Sequence, residues 1–340
     1  MTFDYSAIRA EADEKLQSAS YNPKKLTLIY AGAALVVSLV ITLLDLMLLE
    51  FIEGTGGLSG LGMRSVLETA RQVLQYVLML ALPFWSFGML RAALHMARGK
   101  DNSPITLVEG FRRFGSVLGV QLGKLVLTFA VGMVCVNIGS VLFYMTPMAA
   151  NMLTLLEPLM TEGATPEQMQ QALMALPTEQ LMRAMWPALA LSAVIGAALL
   201  IPLFYRIRLA DFFVMDEPRM SAIVAMLASS RCMRRNRLKW FRLELGFWWY
   251  YLGVVVSSVL YYGDLVLPLL GVTLPMSSDA AWLLFYVLGA VAQFALEWQF
   301  CARVQTTYAL AYDRLRQQTP LFPEQMQSSQ PMNEDEQPQD

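Results

Sequence analysis

Charged side chains make up only 15% of these 340 residues, where a soluble domain carries about 25%. Histidine occurs once, at His95, and the three cysteines, Cys135, Cys232 and Cys301, are far apart with no CxxC pair. One histidine cannot furnish a Ser/His/Asp or Cys/His relay, and the spacing offers neither a zinc site nor a disulfide framework. No paired carboxylates stand out, so neither an enzymatic activity nor a cofactor nor a metal is expected. The net charge of −2 and the lack of a concentrated basic domain exclude a nucleic-acid partner. The alternating ten-residue segments of a membrane β-barrel are missing too.

Long apolar runs are what the chain does have. Apolar residues account for 56% of it and the mean hydropathy is +0.45. A hydrocarbon core needs roughly 20 apolar residues in a helix, and six stretches meet that length: 26–51, 73–96, 117–145, 186–209, 243–262 and 281–306. From Leu26 to Leu44 there is no charge and eleven residues are Leu, Ile or Val. Together these favour insertion by about 3 to 7 kcal/mol, more than Asp45 costs near the far end. Pro83 should kink the second run. The expected fold is all-α, a polytopic bundle of about six transmembrane helices. A segment 1–25 precedes the membrane domain 26–315, and a Gln-, Pro- and acid-rich tail, 316–340, is expected to be disordered. The first run is too long for the apolar core of a signal peptide and should remain as a helix.

Six spans place 22 of the 25 Lys and Arg on one side, leaving only Arg64, Arg71 and Arg183 on the other. The positive-inside rule makes the rich side cytoplasmic, with both termini on it, in a cell membrane. Interfacial amphipathic helices are expected between spans. Ser103-Pro104 begins one, with Ile105, Leu107, Val108, Phe111 and Phe114 at helical spacing. Ser221 caps another, bearing Ile223, Val224 and Leu227, and Thr165-Pro166 starts a third on the outer side. Arg231, Arg234, Arg235, Arg237 and Lys239 suit anionic lipid head groups, or a protein partner. Trp240, Phe241, Phe247, Trp248, Trp249, Tyr250 and Tyr251 read as an interfacial aromatic belt.

Around these basic segments the sequence resembles the DUF975 family of uncharacterised bacterial membrane proteins. The resemblance lies in Gly88-Met89-Leu90, in Ala97-Arg98-Gly99 and in Gly110-Phe111-Arg112-Arg113-Phe114-Gly115. It continues in Asp216-Glu217-Pro218-Arg219-Met220-Ser221-Ala222, in Ser230 to Arg237, and in Ala311-Tyr312. The chain departs from the family pattern at Arg235, where the family has Gly. The resemblance implies a bundle of about six helices and no established catalytic residue.

Four polar residues inside the apolar runs are candidates for function. Glu297 and Gln293 lie one helical turn apart in the last run, Arg206 sits near the inner end of the fourth, and Asp45 lies near the outer end of the first. A carboxylate at depth costs a few kcal/mol unless paired or neutralised. Glu297 therefore either pairs with Arg206 or Arg303 to fix helix register, or serves a proton or cation. A binding or organising protein in the bilayer is the leading expectation, with a small-molecule or ion transporter through Glu297, Gln293 and Arg206 as the alternative. Gly115, Gly119 and Gly123 read as small-residue packing steps. The run 54–60 reads as a flexible loop, Asp264 as a loop residue, and the methionines from Met145 to Met169 as gap-fillers.

Overall fold

The computed structural model describes residues 4–54, 61–146, 149–150, 178–217, 219–269 and 278–319. Among them every regular element is a helix. Four helical runs are long and apolar enough to cross a membrane: Pro23–Leu44, Phe114–Tyr144, Trp186–Asp216 and Ala280–Gln318. A fifth arises if the bent pair Arg237–Leu245 and Trp248–Tyr261 is one span. The chain divides into two compact units, Met1–Val120 with Leu209–Asp340, and Gln121–Arg208.

The first unit is organised around its last helix. Its elements are α1 (Tyr5–Gln17), α2 (Pro23–Gly54), α3 (Leu61–Ala97), a 3₁₀ turn (Pro104–Val108) and α4 (Glu109–Arg112). The first residues of α5 (Phe114–Tyr144) also belong to it. After the second unit come α7 (Ala210–Asp216), α8 (Ala222–Met233), α9 (Arg237–Leu245), α10 (Trp248–Tyr261), α11 (Gly263–Leu269) and α12 (Ser278–Gln318). Helix α12 packs against α1, α2, α3, α10 and α11. It runs well past the span expected to end at 306, and its continuation buries Thr306, Tyr308, Ala309, Ala311, Tyr312 and Leu315.

Helix α1 is an element that the sequence did not announce. Asp4 caps it by accepting from the Ser6 and Ala7 amides at 2.9 and 3.4 Å. Ile8 and Ala12, one turn apart, are its fully buried residues. Polar contacts fix the rest. Asp13 pairs with Arg303 at 2.6 Å, Glu11 with Arg314, and Arg9 lies 5.8 Å over the Phe247 ring. The link to α2 is held by the buried Asn102, whose Oδ1 accepts from the Tyr21 amide at 2.8 Å while its Nδ2 donates to the Tyr21 carbonyl at 3.0 Å. Helix α3 is closed off by the turn at Gly99, whose φ of 65° lets the Lys100 amide return to the His95 carbonyl.

Ser221 caps α8 as its spacing predicts, accepting from Val224 at 3.4 Å. The segment after Ser103 differs from the single amphipathic helix expected. It is a 3₁₀ turn followed by the four-residue α4, because Leu107 and Gly110 are pressed against α3. The fifth apolar run, expected as one helix over 243–262, is broken: α9 and α10 meet at 72°. Arg9 reaches into that corner and donates to the Gly246 carbonyl at 3.4 Å. Only part of the aromatic belt faces outward. Trp240, Phe247 and Tyr250 are buried in protein, whereas Phe241 and Trp248 are exposed. Asp264 lies in the first turn of α11 rather than in a loop.

In the second unit, α5 meets α6 (Thr178–Ile207) at Gly139, where a Cβ would sit 2.1 Å from Ser192 Oγ. The helix expected after Thr165, Met148, Met152, Met160 and Met169, residues 55–60 and the tail 320–340 lie outside the described residues.

Candidate functional site

Two of the polar residues singled out from the sequence, Gln293 and Glu297, meet at a cleft of about 490 Å³. It lies between α2, α3, α10 and α12, all in the first unit. One helical turn separates the two residues, so both project from one face of α12. Gln293 Nε2 donates to Glu297 Oε1 at 3.0 Å, and Tyr250 OH donates to the same oxygen at 3.2 Å. The buried Ser257 hydroxyl on α10 donates to Gln293 Oε1 at 2.8 Å, which fixes the amide so that its NH₂ faces the carboxyl. The Cys301 thiol, one turn further along α12, is buried beside it.

Further along the cleft, Ser38 Oγ and Tyr286 OH are 2.7 Å apart, and Tyr30 OH lies 3.3 Å from Ser86 Oγ. Much of the remaining lining is apolar, with Ala34, Leu35, Leu82, Val254 and Phe294. Helices α10 and α12 approach closely beside it. A Cβ on Gly289 would lie 2.6 Å from Tyr261 backbone, and one on Gly253 would lie 2.7 Å from Leu296.

Glu297 forms no ion pair among the described residues. The Arg303 guanidinium is bonded to Asp13. Arg206 is exposed on α6 in the second unit, and the side chain of Asp45, on α2, lies outside the described residues. Sequence reading overlooked Tyr250 and Ser257. A signal existed for the latter: Ser257-Ser258 is the sole polar pair in the apolar helix α10 after its opening aromatics.

The densest ionic cluster lies elsewhere in this unit. Arg98 grips Asp216 with both terminal nitrogens, at 2.5 and 2.9 Å, and holds Asp313 through Nε at 2.9 Å. Arg316 also reaches Asp216 and Glu217, and Tyr312 OH donates to Asp216 at 3.1 Å. Nearby, Arg91 and Arg113 donate to the Met215 carbonyl at the end of α7, at 2.8 and 2.7 Å. Asp216, Asp313 and Glu217 are each bonded to a guanidinium, and the cluster ties helix ends together. No histidine, cysteine or carboxylate group able to hold a metal occurs among the described residues. No protein family matches the chain, and neither any curated protein nor any solved structure matches it.

Proposed function

We propose that this chain is a non-enzymatic, multi-pass membrane protein that binds a small amphiphilic cation in the bilayer, at Glu297. The observation that supports it is the mismatch at the cleft: a carboxyl group held by neutral donors, with no cation beside it among the described residues. Hydrogen bonds from an amide and a phenol do not cancel a full charge in a low-dielectric setting. The carboxyl is then either protonated or compensated by a bound cation. A ligand with an ammonium group and an apolar body suits both the carboxyl and the apolar remainder of the lining. Transport through the same carboxyl is the alternative.

The full chain in detergent supplies the test. Dicyclohexylcarbodiimide, an apolar reagent that attacks protonated carboxyls, should label Glu297, and phenethylammonium should suppress that labelling at least tenfold at saturation. Peptide mass spectrometry reads both. Labelling that ignores phenethylammonium, or a Glu297 inert to the reagent, defeats the proposal. In liposomes, an amine flux lost in Glu297→Gln would make the protein a transporter.

The same proposal includes six spans in a cell membrane, both termini cytoplasmic, with α8 and the 104–112 segment at the inner interface. Membership of the DUF975 family, which the sequence motifs suggest, is part of the same proposal. On α8, Ile223 and Leu227 are 72% and 55% exposed, an apolar face left uncovered among the described residues that suits lipid. Arg231, Arg234 and Arg235 are exposed beside it, suited to anionic head groups. Single cysteines placed at 235 and at 64 in a cysteine-free background should react with an impermeant maleimide from opposite sides of sealed vesicles. Equal reactivity from one side would refute the arrangement.

A further inference from the structure

A second cavity lies along the same helix pair, one turn from the cleft. Its volume is about 560 Å³, and it sits where the end of α1 and the 18–22 link pass the α2–α12 seam. Thr27 separates the two spaces: it is buried and donates to the Trp298 carbonyl at 2.9 Å, closing α2 onto α12. The cleft begins at Tyr30 and Glu297 on one side of this contact, and the second cavity takes Lys24 and Arg303 on the other.

Its position along the helices is informative. On α2 the uncharged run begins immediately after Lys25, and on α12 the uncharged run 280–296 ends at Glu297. If these helices span a membrane, the cavity lies at the border between hydrocarbon and head groups. Its walls match that border. Leu16, Pro23 and Trp298 supply apolar surface, and Gln17, Asn22 and Gln299 supply neutral hydrogen-bonding groups. An indole at such a level is at home in the interface.

Two cations complete it. Lys24 is exposed, and its ammonium makes no ion pair among the described residues. Arg303 gives Nη2 to Asp13, while its Nη1 has no hydrogen-bond acceptor among the described residues and its Nε is buried without one. A guanidinium with donors to spare beside a free ammonium, in a polar cavity at the edge of an apolar slab, matches a phosphodiester. We propose that this cavity binds the phosphate head group of an anionic membrane lipid through Lys24 and Arg303, with the acyl chains lying outside against the apolar face of α2. On that face Leu28, Val36 and Val40 are exposed.

The test uses full-length protein in a neutral detergent, with thermal unfolding as the readout. Short-chain phosphatidylglycerol at saturation should raise the midpoint by roughly 3 °C or more, and phosphatidylcholine by much less. Lys24→Gln and Arg303→Gln should each lose most of that rise. Arg303→Gln also removes the ion pair with Asp13, so Asp13→Asn serves as its partner variant: it removes the same ion pair, keeps both cations, and should keep the full response. An undiminished rise in Lys24→Gln and Arg303→Gln overturns the proposal, as does loss of the rise in Asp13→Asn. Inorganic phosphate reproducing the whole effect would assign the cavity to a free anion and overturn the lipid assignment. None of these variants touches Glu297, so carbodiimide labelling there reports on the intramembrane cleft independently.

Discussion

Alanine in place of Gly88 is expected to abolish recovery of a monodisperse protein, or to lower its unfolding midpoint by 10 °C or so. A Cβ at this position would lie 1.9 Å from the Leu107 carbonyl oxygen, 2.5 Å from its carbon and 2.7 Å from its Cα. All three are backbone atoms, so no rotamer change can relieve the clash. Ordinary contact begins near 3.4 Å, and the 3₁₀ turn would have to retreat by the difference, about 1.5 Å. That turn cannot retreat alone. Its other side is seated by Gly110, whose Cβ would lie 1.9 Å from the Phe84 carbonyl, and the rings of Phe111 and Phe114 stack on Phe84 at 5.7 and 4.8 Å. Overpacking that a side chain can partly absorb costs roughly 1–3 kcal/mol, and backbone against backbone should exceed it. Gly110→Ala should behave alike, and the double variant should cost less than the two single effects together, because one displacement relieves both clashes. Gly115→Ala and Gly132→Ala are the controls. A Cβ at either position would meet no other part of the described residues within 4 Å, and alanine there should be neutral or stabilising by up to about 1 kcal/mol. Size-exclusion profiles and thermal unfolding of the five variants decide the matter.

These glycines show where sequence reasoning reaches and where it stops. The stretches around Gly88 and Gly110 stood out by resemblance, but no spacing rule told that they face each other. The regular small-residue steps, Gly115, Gly119 and Gly123, looked more like packing sites, yet Gly115 meets open space, while a Cβ on Gly119 would lie 2.8 Å from the Ala222 Cβ. The long apolar helices were legible because length and lack of charge, which make a helix able to cross a membrane, are both properties of a single segment. Helix α1 was not, since Ile8 and Ala12 are all the core it contributes and its polar residues choose partners up to 303 positions away. The corner between α9 and α10 was hidden for a similar reason: the text from 243 to 262 reads as continuous, and only the insertion of Arg9 gives Gly246 its meaning. At the cleft, Glu297 and Gln293 announced themselves as polar residues in an apolar run. Their donors Tyr250 and Ser257 belong to another helix, and pairing between helices is a tertiary fact.

The same distinction governs Asp216, whose loss should cost about 2–4 kcal/mol and lower the unfolding midpoint by roughly 5 °C. Its side chain is 6% exposed and takes hydrogen bonds from Arg98, Arg316 and Tyr312, residues 96 to 118 positions distant. Burial alone would raise this carboxyl. The hydrogen bond and charge of Arg98, helped by Arg316 and Tyr312, win and hold it below the ordinary carboxylate value of 3.8. A group whose folded value lies below its unfolded one stabilises the protein above the unfolded value, and the benefit disappears as pH falls through the folded one. The unfolding midpoint should therefore be level between pH 7 and about 5, then fall below about 4 as Asp216 takes up a proton and Arg98 and Arg316 each lose one of the two carboxylates they hold. Asp216→Asn should start lower at pH 7 and show a shallower acid decline, because it has no proton to gain there. Arg98→Lys separates charge from geometry. An ammonium keeps the charge but cannot hold two oxygens of Asp216 and also reach Asp313, so it should lose most of the same stability despite an unchanged net charge. A midpoint in Arg98→Lys equal to that of the unaltered protein would mean that the cluster works through net charge alone, and that the two-pronged grip on Asp216 contributes nothing.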